Sequence, residues 1–391
     1  MTQILYPTRN EKWTLLREIA ESLDLTETQK KDAKERYEAV AKVLAESGNP
    51  LLEHAKIYPQ GSFRLGTSVK PLGREEFDLD FVCHIPVNSS SVTSKEIYDV
   101  VGKALSDHGT YEKMLEPKKR CWRLNYAGNF HMDITPSTID EQHHRDGEMV
   151  PDRELSSWKE SNPIGYAEWV ESIDSISPTA SSMRVAMESA SIEPLDTDNS
   201  NNGVLKRFIQ IIKRNRDVYF EKHPLNGYAP ISILLTTIAA KAYKKCVERK
   251  SYTDMLELFE DVLRAMPSFI RRSNEWGDTK YMVENPSHPK ENFAEKWNDS
   301  MPYERAFSTW NSAFIRLVGE LRSMEGKGLD VYANKMKELL GKNPVERVIE
   351  ARAKSMYDHK SNGTLGVLAG MGMVANRASA VTPKKNTFFG S

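Results

Sequence analysis

The stretch "FDLDFVCHI", from Phe77 to Ile85, limits what this chain can fold into more than any other. It alternates strictly, with Phe77, Leu79 and Phe81 on one face of a strand and Asp78 and Asp80 on the other. The apolar face demands a core on its side of a sheet. The other face carries two carboxylates, which either meet solvent at a sheet edge or wait for positive charge. A second stretch, "RCWRLNYAGNFHMDITPS", reads as a hairpin with Gly128-Asn129 as its turn. Its second arm alternates again: Phe130, Met132 and Ile134 face one way, and His131, Asp133 and Thr135 the other. If the two strands are neighbours, three carboxylates converge. Such a cluster repels itself and pushes its acids toward the protonated form. A divalent cation resolves that repulsion, and Mg²⁺ favours few carboxylates combined with substrate phosphates.

Ahead of the first strand lies "GSFRLGTS". Gly61 allows close backbone approach, and Ser62 offers a hydroxyl and an N–H to a phosphate. Alone, Gly-Ser is more often a turn. Followed by the two-aspartate strand and the third aspartate, it is a far more specific combination.

The remaining composition narrows the partners. The chain has 391 residues, enough for roughly two domains, with 54 basic and 55 acidic residues and a net charge of -1. A protein that holds long nucleic acid usually has a basic excess, so no long polymer is expected, whereas small anions in a local basic pocket are. Cys83, Cys121 and Cys246 show neither zinc spacing nor a disulfide framework, which fits a reducing cytoplasm. The N-terminus shows no apolar signal region. "YAPISILLTTIAAKAY" is the longest apolar run and is too short and interrupted to span a membrane.

Along the chain, Thr26 with Gln29 fits a capping box, and Ala33, Tyr37, Val40 and Leu44 recur at helical spacing up to Gly48. Residues 94–106 read as a helix. From about Leu155 the pattern becomes helical: "GVLKRFIQIIKRNRDVYF", "APISILLTTIAAKAYKKCV", "YTDMLELFEDVLRAM" and "ERAFSTWNSAFIRLVGELRSM" each carry an apolar stripe. "SNGTLGVLAGMGMVANRASAVTPKKNTFFGS" is Gly-rich, poorly periodic and expected to be a flexible tail. The expected organisation is N-terminal helices (1–50), an α/β core (51–155), a helical lobe (156–358) and the tail (359–391).

These residues match a family. "YPQGSFRLGT", "FDLD" and "HMDITP", together with "SNPIGYAEW", "LKRFIQIIKRNRD" and "VENPSHPKENFAEKW", resemble the cGAS/DncV-like bacterial nucleotidyltransferases, or CD-NTases. The resemblance covers most of the chain. It implies a polymerase-β-like lobe with a mixed sheet, an oligoadenylate-synthase-like helical lobe and an active-site cleft between them. It implies a cyclic oligonucleotide synthase that joins nucleoside triphosphates, ATP or GTP foremost, into a cyclic di- or trinucleotide messenger of CBASS anti-phage defence. Asp78, Asp80 and Asp133 would be catalytic and bind two Mg²⁺ ions (or Mn²⁺), and Gln60, Gly61 and Ser62 would hold the donor triphosphate. Lys206, Gln210 and Lys213 fall at i, i+4 and i+7 on one helix face. Lys213 matches the family's phosphate-contacting lysine, whereas Lys206 reads equally as a solvated face. Where the family has a Ser-Tyr pair, this chain has Gly227-Tyr228; Ser232, at the next helix start, is a substitute contact or a core serine.

Trp158, Asn162, Tyr166 and Trp169 read either as base-stacking groups or as packing between the lobes. His84, His131, His143 and His144 do not form a metal set. The end "PKKNTFFG" resembles the tails that some CD-NTases present to a ubiquitin-transfer-like enzyme, with Gly390 as the conjugated residue and Ser391 a departure from that end. An effector that senses the cyclic product would act downstream. Two rival classes remain: a polymerase-β-like nucleotidyltransferase acting on RNA, a protein or a small molecule, and a non-catalytic nucleotide-binding or antitoxin-like protein.

Overall fold

The computed structural model describes residues 9–73, 77–126, 130–143, 146–154, 156–178, 203–275, 278–324, 327–362, 365–368 and 372–375. The alternation at Phe77 becomes a long strand, β2 (Phe77–Asn88), at the heart of a mixed sheet. Its neighbours are β1 (Lys56–Gln60), which is antiparallel to it, and β5 (Phe130–Ile139), which is parallel. Beyond β5 lie β4 (Trp122–Tyr126) and β3 (Leu115–Pro117), both antiparallel. The end of β5 also pairs with β6 (Glu148–Asp152), and β6 with β7 (Ser157–Ser161). The turn expected at Gly128-Asn129 lies outside the described residues, but the antiparallel β4–β5 pairing on either side of it is present.

The apolar face of β2 is covered by two helices, α2 (Glu27–Ala45) and α4 (Ser94–Ser106). Leu79, Phe81, Cys83 and Ile85 pack there with Val40, Leu44, Ile97, Val101 and Leu105, and β5 adds Met132 and Ile134. Both helices begin with complete capping boxes, Thr26 with Gln29 and Thr93 with Glu96, so their starts are fixed by sequence. Because period 2 sends alternate side chains to opposite faces, burying Phe77, Leu79 and Phe81 leaves Asp78 and Asp80 on the face that looks away from this core.

That face meets the second lobe. Its core is formed by α1 (Arg9–Glu21), α5 (Pro163–Asp174), α6 (Val204–Phe220), α7 (Ser232–Arg249), α8 (Met255–Ala265), α9 (Pro302–Ser323) and α10 (Leu329–Leu340). A last helix, α11 (Lys342–Ser361), packs along α10 and α1. The first two helices thus belong to different cores: α1 to the helical lobe and α2 to the sheet. The helical lobe also carries two hairpins, Arg271–Glu275 with Asp278–Met282 and Glu284–Asn285 with His288–Asn292. The second of these arises from "VENPSHPKEN", where Asn285 bends back on the backbone N–H of Ser287 at 2.9 Å. Within the segment expected to be a flexible tail, Leu365–Leu368 and Gly372–Ala375 pair antiparallel; Gly390 lies outside the described residues.

One close contact makes the sheet lobe testable. Gly102 on α4 lies against Trp122, where an added Cβ would stand 2.0 Å from a ring atom. The Trp122 indole N–H donates to the Tyr98 carbonyl at 2.9 Å, so the ring is pinned. Gly102→Ala should therefore lower stability by about 1–3 kcal/mol through overpacking, despite the better helix propensity of alanine. The denaturant midpoint measures it.

Candidate active site

The parallel register places Asp80 opposite Asp133, and Asp78 opposite His131. The antiparallel register on the other side places Gln60 opposite Asp80. Strand β1 therefore ends beside the carboxylates and turns directly into a single helical turn, α3 (Gly61–Arg64). Gly61 makes that turn with φ +62, and a Cβ there would lie 2.5 Å from Asp80 Oδ2. Both the left-handed conformation and the close approach require glycine. Ser62 follows, with its carbonyl accepting from Thr67 N–H at 2.9 Å and its hydroxyl from Ser68 at 3.3 Å. Gln60 reaches across the strands to Thr135 Oγ1 at 3.1 Å.

The three carboxylates act on one another. Burial pushes the Asp80 carboxyl up to about 7, with the charges of Asp133 and Asp78 adding to the effect. Asp78 is also raised, again first by burial, while Arg123 opposes the rise. Arg123 stands opposite Asp133 across β4 and β5. It donates to both Asp133 oxygens, at 2.7 and 2.8 Å, and to Asp78 at 3.3 Å. Among the described residues no group of three carboxylate, histidine or cysteine side chains is already arranged around one cation position; the Asp133 oxygens are turned onto the guanidinium. Cys121 lies beside Asp133, and burial pushes its thiol well above its usual range.

A cleft of about 560 Å³ opens over Asp78 and Asp80. Gln60, Gly61, Ser62, Thr67 and Ser68 form one wall, and Lys213, Arg216 and Ser232 from the helical lobe another. Lys213 is buried, with its ammonium donating to Thr67 Oγ1 at 3.0 Å and to the Thr67 carbonyl at 3.3 Å. Burial lowers it to about 7, with Arg216 adding to the fall. Ser232 begins α7, and its hydroxyl accepts from Arg216 at 3.0 Å.

The face shared by Lys206, Gln210 and Lys213 divides. Only Lys213 lines the cleft. Gln210 is spent on Ser68 O and Asp24, at 3.0 and 2.8 Å, and the Lys206 ammonium lies 3.7 Å from Asp174. Asn162 caps α5 by accepting from Gly165 N–H at 2.8 Å. Tyr166 lines the cleft with its ring, but its hydroxyl is shared with Thr237 at 2.9 Å. Trp158 packs against the sheet core and Trp169 against the helical core. Tyr228 packs on Tyr303 at 5.1 Å. His143 stacks on His288 at 4.3 Å, away from the aspartates' strand pair.

Sequence reasoning missed Arg123, Arg216, Asn285 and Glu291. Arg216 had a signal, at i+3 from Lys213 on the same helix. Arg123 had one in the hairpin register, which pairs it with Asp133. Asn285 and Glu291 lie in "VENPSHPKENFAEKW", which carried the family resemblance as a segment but no sign that its side chains line the cleft.

The fold is that of a polymerase-β-like nucleotidyltransferase: a mixed sheet whose aspartate-bearing face opens on a cleft lined from the other lobe by Lys213, Arg216 and Ser232. Residues 12–173 match the model of the Second Messenger Oligonucleotide or Dinucleotide Synthetase domain. The chain is 32% identical over 382 residues to a c-di-GMP synthase of Roseivirga ehrenbergii, covering 96% of each chain. It is 24% identical to the cyclic dinucleotide synthase CdnG of Bradyrhizobium diazoefficiens, over 75% of this chain and 72% of that one. The structure of that CdnG in complex with GTP superposes with a TM-score of 0.66 at 22% identity, covering 86% of this chain and 96% of that one. The chain belongs to the CD-NTase family, and it is a nucleotidyltransferase.

The Asp80 carboxyl gives a stability test. It ionises near 7 in the folded chain and at an ordinary value of 3.8 otherwise, so its protonated form favours folding. That contribution is complete at pH below about 4 and is lost as pH rises through 7. In the absence of divalent cations, Asp80→Asn should therefore raise stability at pH 8 by on the order of 3 kcal/mol. The gain should shrink toward pH 4, as read by thermal unfolding across pH.

Proposed function

We propose that the cleft condenses two nucleoside triphosphates, with GTP the first choice, into a cyclic dinucleotide. What supports the reading is the register: Asp80 opposite Asp133 on parallel strands, Gly61 and Ser62 against Asp80, and Lys213 across the cleft. The two relatives named above are cyclic dinucleotide synthases, one of them for c-di-GMP.

In the reaction a ribose hydroxyl of one nucleotide attacks the α-phosphorus of the other. A new P–O bond forms, the bond to the β-phosphate breaks, and pyrophosphate leaves. A second round closes the ring. Gln60, Gly61 and Ser62 hold the donor triphosphate beside Asp80, and Lys213, Arg216 and Ser232 face it from the helical lobe. Arg123 fixes the Asp133 carboxylate in one orientation, from which it orients the attacking hydroxyl and accepts its proton. Positioning of this kind supplies much of the acceleration in phosphoryl transfer.

The donor set fits hard divalent cations. Asp78 and Asp80 repel each other and Asp133, and burial holds Asp80 at about 7, so Arg123 supplies one positive charge against three carboxylates. Two Mg²⁺ ions, or Mn²⁺, on Asp78, Asp80 and Asp133 would neutralise the triphosphate and the leaving pyrophosphate.

The family resemblance extends the reading to anti-phage signalling in the cytoplasm, through an effector that senses the product. Among the described residues no helix is long and apolar enough to cross a membrane. The tail "PKKNTFFG" supports conjugation at Gly390 by a ubiquitin-transfer-like enzyme. A chain ending at Gly390 should form a covalent adduct with that enzyme, and a gel that shows none removes the conjugation.

The central test is incubation with labelled ATP, GTP, CTP and UTP plus Mg²⁺, followed by phosphatase. A resistant cyclic product is expected. Asp78→Ala with Asp80→Ala should abolish it while the circular dichroism spectrum stays native. Undiminished product from the double variant would remove the catalytic role of these aspartates.

A further inference from the structure

We infer that Glu291 reads the nucleobase of a bound nucleotide and that it selects guanine. The inference rests on the nucleotide-condensing reading of the cleft. Two groups of polar residues line this cleft. One surrounds Ser62, Lys213 and Arg216 and presents hydroxyls and cations, which suits phosphates. The other is chained together by its own hydrogen bonds on the 284–292 hairpin and the start of α5. Asn162 Nδ2 donates to Ser287 O at 3.3 Å, and Ser287 donates through N–H and hydroxyl to Asn285 Oδ1 at 2.9 and 2.7 Å. Asn285 Nδ2 donates to Glu291 Oε2 at 2.7 Å.

This second group spends almost all of its hydrogen-bonding capacity on itself. Asn162 also caps α5, and both ends of the Asn285 amide are occupied. The Tyr166 hydroxyl is taken by Thr237, and Thr236 donates to the Ser232 carbonyl at 2.9 Å. The exception is Glu291. One of its oxygens accepts from Asn285; the other accepts no hydrogen bond from the described residues, and the side chain lines the cleft.

A free carboxylate oxygen in a cleft built for triphosphates cannot face the phosphates, because like charges repel. It must face a donor, and the donors a nucleotide offers are base N–H groups and ribose hydroxyls. Guanine alone presents two adjacent donors on its Watson–Crick edge, N1–H and the N2 amino group. Adenine and cytosine set an amino group beside a ring-nitrogen lone pair, which would point at the carboxylate. Uracil flanks its single N–H with two carbonyls. Among the bases only guanine offers Glu291 donors without an opposing lone pair; a contact with a ribose hydroxyl, common to all four nucleotides, would leave the GTP-to-ATP ratio unchanged in Glu291 variants. Burial pushes the Glu291 carboxyl up to about 7, with Glu160 adding to the rise and Asn285 and Arg120 opposing it. A donating base edge is therefore also the partner that restores its ionised form.

The test compares wild type, Glu291→Gln, Glu291→Asp and Glu291→Ala. Equilibrium dialysis of non-hydrolysable α,β-methylene analogues of GTP and of ATP with Mg²⁺ gives the ratio of affinities without turnover, and product analysis with GTP and ATP gives the ratio of incorporation. Wild type should favour GTP. The Gln variant keeps the shape but trades an acceptor for a donor, and should lower the GTP-to-ATP ratio by about 5- to 150-fold, the range for one bidentate base contact. The Asp variant should retain part of the preference, and thermal melts show that the variants are folded. An unchanged ratio in both the Gln and Ala variants, or a wild type without preference for GTP, overturns the assignment. Absence of any cyclic product from wild type would instead strike the condensing reading, while the binding ratio would still judge Glu291.

Discussion

The mutual repulsion of three neighbouring carboxylates, Asp78, Asp80 and Asp133, is the constraint around which the rest is arranged. Burying Phe77, Leu79 and Phe81 against α2 and α4 fixes the roll of β2, and the pleat then leaves Asp78 and Asp80 no other direction. The parallel pairing with β5 brings Asp133 alongside. A one-residue slip of either strand would exchange aspartates for phenylalanines on the core side. The hydrophobic core is therefore what holds the charges together. The cost falls on Asp80 more than on the others, since burial and its two neighbours push its carboxyl up to about 7. Arg123 relieves part of it without filling the cleft, because it approaches from the neighbouring strand β4.

The second lobe is fastened to this cluster through α6, whose buried polar face is unusual for a helix. Gln210, Lys213, Arg214 and Asn215 are all buried, and each finds partners outside its own helix. Three of them grip the loop after Ser62: Gln210 on Ser68 O, Lys213 on Thr67 and Arg214 on Lys70 O at 3.1 Å. The same side chains that join the lobes thus set the position of the Gly-Ser turn relative to Asp80. Leaving any of these groups buried without a partner costs about 1–3 kcal/mol or more, so the loop is held in place. The wall of the cleft at Ser62, Thr67 and Ser68 is therefore preformed.

How much of this was legible in the sequence depends on chain distance. Period 2 in "FDLDF" and "FHMDI" gave the strands, their buried faces and the convergence of the aspartates, because each reading needed only local alternation. Gly61 was legible as a close-approach glycine, and the structure supplies the atom it approaches, Asp80 Oδ2. The helical face of Lys206, Gln210 and Lys213 was legible as a face but not in its roles: the i, i+4, i+7 spacing cannot say that Asp174 holds Lys206 or that Thr67 receives Lys213. Arg123 required the hairpin register as well as the hairpin. The role of Glu291 was beyond reach: "VENPSHPKENFAEKW" stood out as a segment of the resemblance, but its Pro- and Asn-rich composition does not show which of its side chains will line the cleft.

The two shifted groups facing each other across the cleft carry a further argument. Asp80 is pushed up to about 7 and Lys213 down to about 7, each chiefly by burial. If they formed an ion pair, each would stabilise the other's charge, and both would move the opposite way. Their mutual field is present but is the smaller effect on each. Lys213 instead spends its donors on neutral Thr67, and Asp80 faces other carboxylates. The folded chain thus holds a carboxylate short of positive charge and an ammonium short of negative charge, on opposite walls of one cavity. A ligand that restores both must carry cations at one end of its charge and oxygens at the other, and a nucleoside triphosphate with its divalent cations has that distribution.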